Sequence, residues 1–130
     1  MNAVTESEAI ETLDQFCSGF ATRDPEAVMR LVAPSAGLVV VTSEESLLRG
    51  TQELREFLDR YVEGTTTYSW EWHRYDVSGA GPVVWLLAEG IEVVTRAGGD
   101  VERHPYRMTM VLERGEHRWL VRQVHGSSPH

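Results

Sequence analysis

The chain has 130 residues, one domain by length, with 42% apolar and 25% charged residues, the proportions of an ordinary globular protein. That excludes whole-chain disorder, collagen and coiled coil, and the longest apolar run, Val83 to Ala88, is far too short to span a membrane. The formal charge of −8, from 20 acids against 12 bases, argues against nucleic acid or an anionic membrane surface as partner.

Thr5-Glu-Ser-Glu8 has the form of a capping box, with Thr5 as N-cap. Ile10, Leu13, Phe16, Cys17 and Phe20 then follow at helical spacing, which predicts an amphipathic helix to about Thr22. Asp24-Pro25 restarts a helix, with Asp24 as cap and proline in the first turn, and Pro34 ends it. Leu38 to Thr42 is a β-branched run that reads as a short buried strand, and Ser43 to Arg49 reads as loop. After Gly50, Thr51 can cap a third helix through Val62, with Leu54, Phe57, Leu58 and Tyr61 on one side and Gly64 closing it. The remainder predicts four strands, Thr65–Val77, Val83–Thr95, Arg103–Glu113 and Trp119–His125, separated by Ser78–Pro82, Ala97–Asp100 and Arg114–Glu116. Short turns between strands imply an antiparallel meander, and the element order implies an α+β protein with helices on one face of the sheet.

Charge is uneven along this order: residues 1–63 hold 12 acids and five arginines, a balance of −7. All 12 bases are arginine, which removes Schiff-base lysine chemistry. Cys17 is the lone cysteine, so there is no internal disulfide, and its place on an apolar helix face predicts a small buried hydrophobe. Residues 1–11 are polar and acidic and carry no signal-peptide pattern, which predicts a cytoplasmic protein. His73, His104, His117, His125 and His130 show no ligand spacing, so no metal is expected. No phosphate loop, nucleophile elbow or dinucleotide fingerprint appears, and no cofactor is implied.

Three segments carry a family resemblance. They are Phe20-Ala-Thr-Arg-Asp24-Pro-Glu-Ala-Val28, Arg49-Gly50-Thr-Gln-Glu-Leu54-Arg-Glu-Phe57, and Tyr106-Arg-Met-Thr-Met-Val-Leu112 followed by Trp119-Leu-Val. In this order and spacing the chain resembles the nuclear transport factor 2-like superfamily, in its SnoaL-like and ketosteroid-isomerase-like branch, as a single domain over residues 1–130. The resemblance implies a cone: a strongly curved, mainly antiparallel sheet wrapped against three N-terminal helices, with a pocket at its mouth. Members include isomerases, cyclases, epoxide hydrolases, dehydratases and non-catalytic binding or assembly modules, so the site must decide the function. Where isomerases of the family place a tyrosine and two acids, this chain has Phe16, Val40 and Met108, all apolar, which argues against that chemistry. The histidine pattern at the end of many SnoaL-like chains is half lost in Gln123-Val-His125-Gly-Ser127.

Strand parity, set by the same alignment, turns Val83, Trp85, Leu87 and Glu89 into the cone, together with Met108, Met110, Leu112, Leu120, Arg122 and Val124. The expected pocket wall is Phe16, Phe20, Val40, Phe57, Trp85, Met108 and Met110, suited to a hydrophobic small molecule. Glu89 is the expected titrating residue, with Arg122 or His73 in contact, as the candidate catalytic set. Trp70, Trp72 and Trp119 fall on the outer face, which predicts a homodimer through the sheet. A bulge near His73 would swap this assignment and make Trp70 and Trp72 pocket wall. Three functions stay open: an enzyme acting on a hydrophobic metabolite, a ligand-binding protein, and an assembly module.

Overall fold

The computed structural model describes residues 2–34, 37–42 and 46–129. The elements run α1 (Ala3–Ala21), α2 (Pro25–Met29), β1 (Val39–Val41), β2 (Leu47–Arg49), α3 (Gly50–Glu63), β3 (Thr67–Ala80), β4 (Val83–Thr95), β5 (Val101–Arg114) and β6 (Trp119–Ser127). The sheet order is β2-β1-β6-β5-β4-β3. Every pairing is antiparallel except β1 with β6. The sheet curves around the helices as an α+β cone, the architecture that the resemblance implies. No helix among the described residues is long and apolar enough to cross a membrane.

Local chemistry explains most boundaries. Asp24 caps α2, accepting from the Ala27 N–H at 3.2 Å, with Pro25 in the first turn. Gly64 closes α3, its N–H reaching the Arg60 and Tyr61 carbonyls. Two caps differ from expectation. Helix α1 starts earlier than the capping box, because Asn2 supplies the same chemistry one turn sooner: its Oδ1 accepts from the Thr5 N–H at 2.8 Å. At α3 the Thr51 hydroxyl is not the cap; the Glu53 carboxylate turns back to accept from the Arg49 N–H at 2.8 Å. The stretch read as loop contains β2, an edge strand against β1, while Ser43–Glu45 lie outside the described residues, as does His130.

The core lies between α1, α3 and the concave sheet face. Leu13, Phe16, Leu54 and Leu58 pack from the helices against Val84, Leu86, Met110 and Leu112 from the sheet. On β4 the buried set is Val84, Leu86, Ala88, Glu92 and Val94, so even-numbered residues point inward. The expected parity of β4 is therefore reversed: Trp85, Leu87 and Glu89 face out. The cause is that Val83-Val-Trp-Leu-Leu-Ala88 is apolar on both faces, so alternation carries no parity signal.

Two bulges settle the other strands. One falls between Trp72 and Arg74 on β3, leaving His73 unpaired. Before it, Trp70 and Trp72 face inward opposite Glu92 and Gly90; after it, Tyr75 and Val77 do. A Cβ on Gly90 would lie 2.1 Å from the Glu71 carbonyl oxygen, so the close approach of β3 and β4 at this bulge requires glycine. The second bulge, on β6, pairs Leu112 with Val121 and Val111 with Gln123, leaving Arg122 as the extra residue. Trp119, Val121 and Val124 are consequently the buried hydrophobic side chains of β6, in place of Leu120, Arg122 and Val124.

Candidate functional site

The concave face holds an aromatic cavity of about 60 Å³. Phe16 and Phe20 enter from α1, Phe57 and Tyr61 from α3, Val40 from β1, and Met108 from β5, beside Val124 and Gly126 of β6. The Trp70 and Trp72 rings lie parallel with centroids 6.4 Å apart, and Trp70 meets Phe20 edge-on at 5.9 Å. Tyr106 packs against both indoles. A Cβ on Gly126 would come within 2.0 Å of the Tyr106 hydroxyl, so the missing side chain makes room for that ring. Tyr61 is locked in place: its hydroxyl donates to the Phe20 carbonyl and accepts from the Tyr68 N–H, both at 2.9 Å. Burial raises its pKa.

Among the described residues, one carboxylate lines this apolar space. Glu92 is 2% exposed, and both of its oxygens are engaged. Oε2 accepts from Trp70 Nε1 at 3.1 Å, and Oε1 lies 2.8 Å from His104 Nε2. The contacts follow from strand register, since Glu92 stands opposite Trp70 on β3 and opposite His104 on β5. A buried carboxylate persists only with such partners. The His104 side chain is 34% exposed, so it connects the buried acid to the surface. Next along the same face of β5, Glu102 pairs with Arg96 at 3.1 Å. That arginine holds the Glu102 pKa below the usual carboxylate range, and His104 adds a smaller pull in the same direction.

The residues singled out from sequence fall in three places. Phe16, Phe20, Val40, Phe57 and Met108 line the cavity, so the three apolar isomerase-equivalent positions are at the site. Met110 is buried deeper in the core, while Trp85 is 47% exposed on the outer face. Glu89 and His73 line one shallow outer concavity with Arg74 and Arg107, away from the aromatic cavity. Arg122 is separate, 3.5 Å from Glu113. The expected Glu89–Arg122 pair does not form, because β5 lies between their strands and Arg122 stands at Glu113, six residues along β5 from Arg107, the residue opposite Glu89. Trp70, Trp72 and Trp119 are all on the helix side of the sheet. Trp119 is buried, donating to Glu8 at 3.3 Å beneath the Arg114 guanidinium.

Glu92 and His104 were missed, although the sequence held a signal for both. A hairpin folded about Ala97–Asp100 sets position 92 against position 104, an acid against a histidine. Glu89 and Glu92 are three apart on one strand, so one of them must face inward.

A smaller polar group sits between α1 and β3. The Tyr75 hydroxyl donates to Asp14 Oδ1 at 3.1 Å. Burial, opposed by that bond, raises the Asp14 pKa; burial and the neighbouring carboxylate push Tyr75 up to about 12. Burial pushes the Cys17 thiol up to about 12. Trp72 Nε1 beside it is buried without a hydrogen-bond partner, and the sulfur offers only weak compensation. Among the described residues, no three His, Cys, Asp or Glu side chains converge as a metal site.

Comparison with solved structures shows the same fold in proteins of low identity. A candidate dehydratase of the nuclear transport factor 2-like family from Streptomyces avermitilis is 15% identical, with 99% of each chain covered and a TM-score of 0.89. A candidate aromatic ring hydroxylase from Novosphingobium aromaticivorans is 14% identical, covering 100% of this chain and 92% of that one, with a TM-score of 0.87. The association domain of C. elegans CaMKII is 15% identical over 96% of each chain, with a TM-score of 0.74. Comparison with curated protein sequences gives no match. The family model of the SnoaL-like domain matches residues 10–130, and the chain belongs to that family.

Proposed function

We propose that the cavity binds a small, mainly apolar molecule and that Glu92 exchanges a proton with it. The observation that carries this reading is a carboxylate 2% exposed, fixed at both oxygens, in the wall of an otherwise apolar cavity. A general base needs proximity, a defined orientation and a route for the proton. Trp70 supplies orientation. His104 supplies the route: Glu92 takes a proton from a C–H or O–H of the ligand, and His104 returns it to another ligand atom or to water, regenerating the carboxylate. Isomerisation, dehydration and ring closure all fit this exchange. At about 60 Å³ the enclosed space lies well below the roughly 300–1,000 Å³ of drug-sized ligand pockets, which argues against a polycyclic frame.

The test needs no natural substrate. Benzylacetone, an aryl ketone with exchangeable α-hydrogens, is incubated with the protein in D2O and deuterium uptake is followed by NMR. The wild type exceeds the buffer rate, and Glu92→Gln lowers the protein-dependent rate by about 100-fold or more. Equal exchange by both proteins, with the ketone bound by both, removes Glu92 as the base and leaves a ligand-binding protein.

We also propose that two copies pair through the outer face of the sheet. Its exposed centre is Trp85, opposite Val111 and flanked by Val83 and Leu87, in place of the three tryptophans expected there. The wild type sediments as a dimer at micromolar concentration and Trp85→Glu as a monomer; a monomeric wild type ends this reading.

A further inference from the structure

We propose that the ligand of this cavity carries an anionic group, held outside the aromatic wall by Arg60 and Arg96. The inference rests on the reading of the cavity as a small-molecule site and adds the class of molecule: an apolar body joined to a carboxylate or comparable anion.

A second concavity abuts the first, and Phe57, Tyr61 and Tyr68 line both. Among the described residues, its charged residues are Arg60 and Arg96, and no Asp or Glu lines it. The other charged concavities described each include an acid: Asp24, Glu8 with Glu11, and Glu89. In a chain of net charge −8, a hollow with two guanidinium groups, threonine hydroxyls and no carboxylate is a local inversion of sign. Arg60 follows Phe57 by three residues on α3, which puts the two on adjoining parts of the helix surface. No carboxylate among the described residues lies within ion-pair distance of Arg60. Glu102 holds Arg96 through both oxygens, at 3.1 and 3.4 Å, so the uncompensated charge of the hollow is that of Arg60, while Arg96 adds charge that Glu102→Gln would release.

The carbonyl end of α3 would oppose an anion here, but it is already neutralised. Arg23 donates to the carbonyls of Tyr61 and Val62 at 3.0 and 3.1 Å and to Gly64 at 2.5 Å. Distance also fits. Glu92 and Val94 share the inward face of β4, Arg96 follows one residue past the strand's end, and four residues of extended chain span roughly 13 Å. A molecule with one end at Glu92 and an anion at Arg96 is therefore a ring with a short chain.

The probes are 4-phenylbutyrate and 4-phenylbutan-1-ol, which share the ring and chain and differ in charge. Binding is read by quenching of tryptophan fluorescence, since Trp70 lines the cavity. At low salt the acid binds about five- to tenfold more tightly than the alcohol, and the preference shrinks at about 0.5 M salt, roughly three times physiological ionic strength. Arg60→Gln and Arg96→Gln each reduce the acid-to-alcohol ratio toward one, and Glu102→Gln increases it. Arg118→Gln, an equal charge change in the turn between β5 and β6, leaves the ratio as it was. If the alcohol binds and the acid binds no better, or if both arginine variants preserve the ratio, this inference is overturned while the cavity reading stands. If neither probe binds, both are overturned.

Discussion

Arg23 holds three segments together, and removing it tests how the cavity wall is built. Its backbone is in the left-handed region at φ 57°, which costs a non-glycine residue roughly 1 kcal/mol. The side chain offsets that strain. Nη1 donates to the Thr66 carbonyl at 2.8 Å and to the Thr67 hydroxyl at 3.1 Å, and Nη2 donates to the end of α3. The guanidinium also sits 5.0 Å from the centroid of Tyr61. Four N–H groups serve these acceptors, and each bond to a partly buried carbonyl contributes about 0.5–1 kcal/mol net, because water can replace it. With the ring contact, Arg23→Ala should cost about 3 kcal/mol. Arg23→Gly loses the same bonds but relieves the backbone, so it should be about 1 kcal/mol more stable than the alanine variant. Arg23→Lys keeps one donor point and falls between wild type and glycine. Urea denaturation with a common slope measures all four. An alanine variant within about 0.5 kcal/mol of wild type refutes the clamp. An alanine variant as stable as the glycine variant refutes the strain.

Other predictions follow from the polar group under β3 and from the cavity wall. Asp14 has a raised pKa, so the fold disfavours its charged form, and its contribution to stability is fully present below the unfolded pKa and declines as pH rises through the folded one. Asp14→Asn, whose amide oxygen still accepts from Tyr75, should therefore match wild type near pH 3 and exceed it at pH 7 by a few tenths of a kcal/mol after solvent screening, by thermal denaturation at both values. Cys17, pushed up to about 12 and buried, should resist a thiol reagent at pH 8 in the native protein and react when unfolded; complete native labelling within minutes would contradict that placement. Gly126→Ala should drive the Tyr106 ring out of the cavity wall, costing about 2 kcal/mol and weakening benzylacetone binding; unchanged binding and stability would show that the ring has another place to go.

Much of the architecture was legible because its signals are local. Asp24-Pro25 and Gly64 bound helices by capping chemistry that any neighbourhood would preserve. The turns at Ser78–Pro82 and Ala97–Asp100 set the two central hairpins, and β4 runs over the residues expected of it, Val83–Thr95. What was not legible depends on packing across the sheet. The β3 bulge needs Gly90 to let the Glu71 carbonyl in, a relation between residues nearly twenty apart. The β6 bulge leaves no mark in Trp119-Leu-Val-Arg-Gln-Val, where either alternation is tolerable. Strand β2 is three residues long and rests on β1, so periodicity had nothing to detect.

The site turned on a single binary choice. With Glu89 and Glu92 on opposite faces of β4, the sequence demanded one inward acid and left its identity to parity. Trp85 favoured the wrong choice, because a tryptophan is usually counted as core. Partners decide the matter. An inward Glu89 would carry Arg74 and Arg107 inward with it, since residues opposite one another share a face, and would bury two further charges, whereas Glu92 stands opposite an indole N–H and an imidazole. A buried carboxylate favours the register that satisfies both oxygens without burying further charge, and position 92 does so. The same rule reassigns the tryptophans: Trp70 must be inside because its N–H is one of those two donors. Polar satisfaction across neighbouring strands fixes the orientation of β4 where its own apolar pattern cannot.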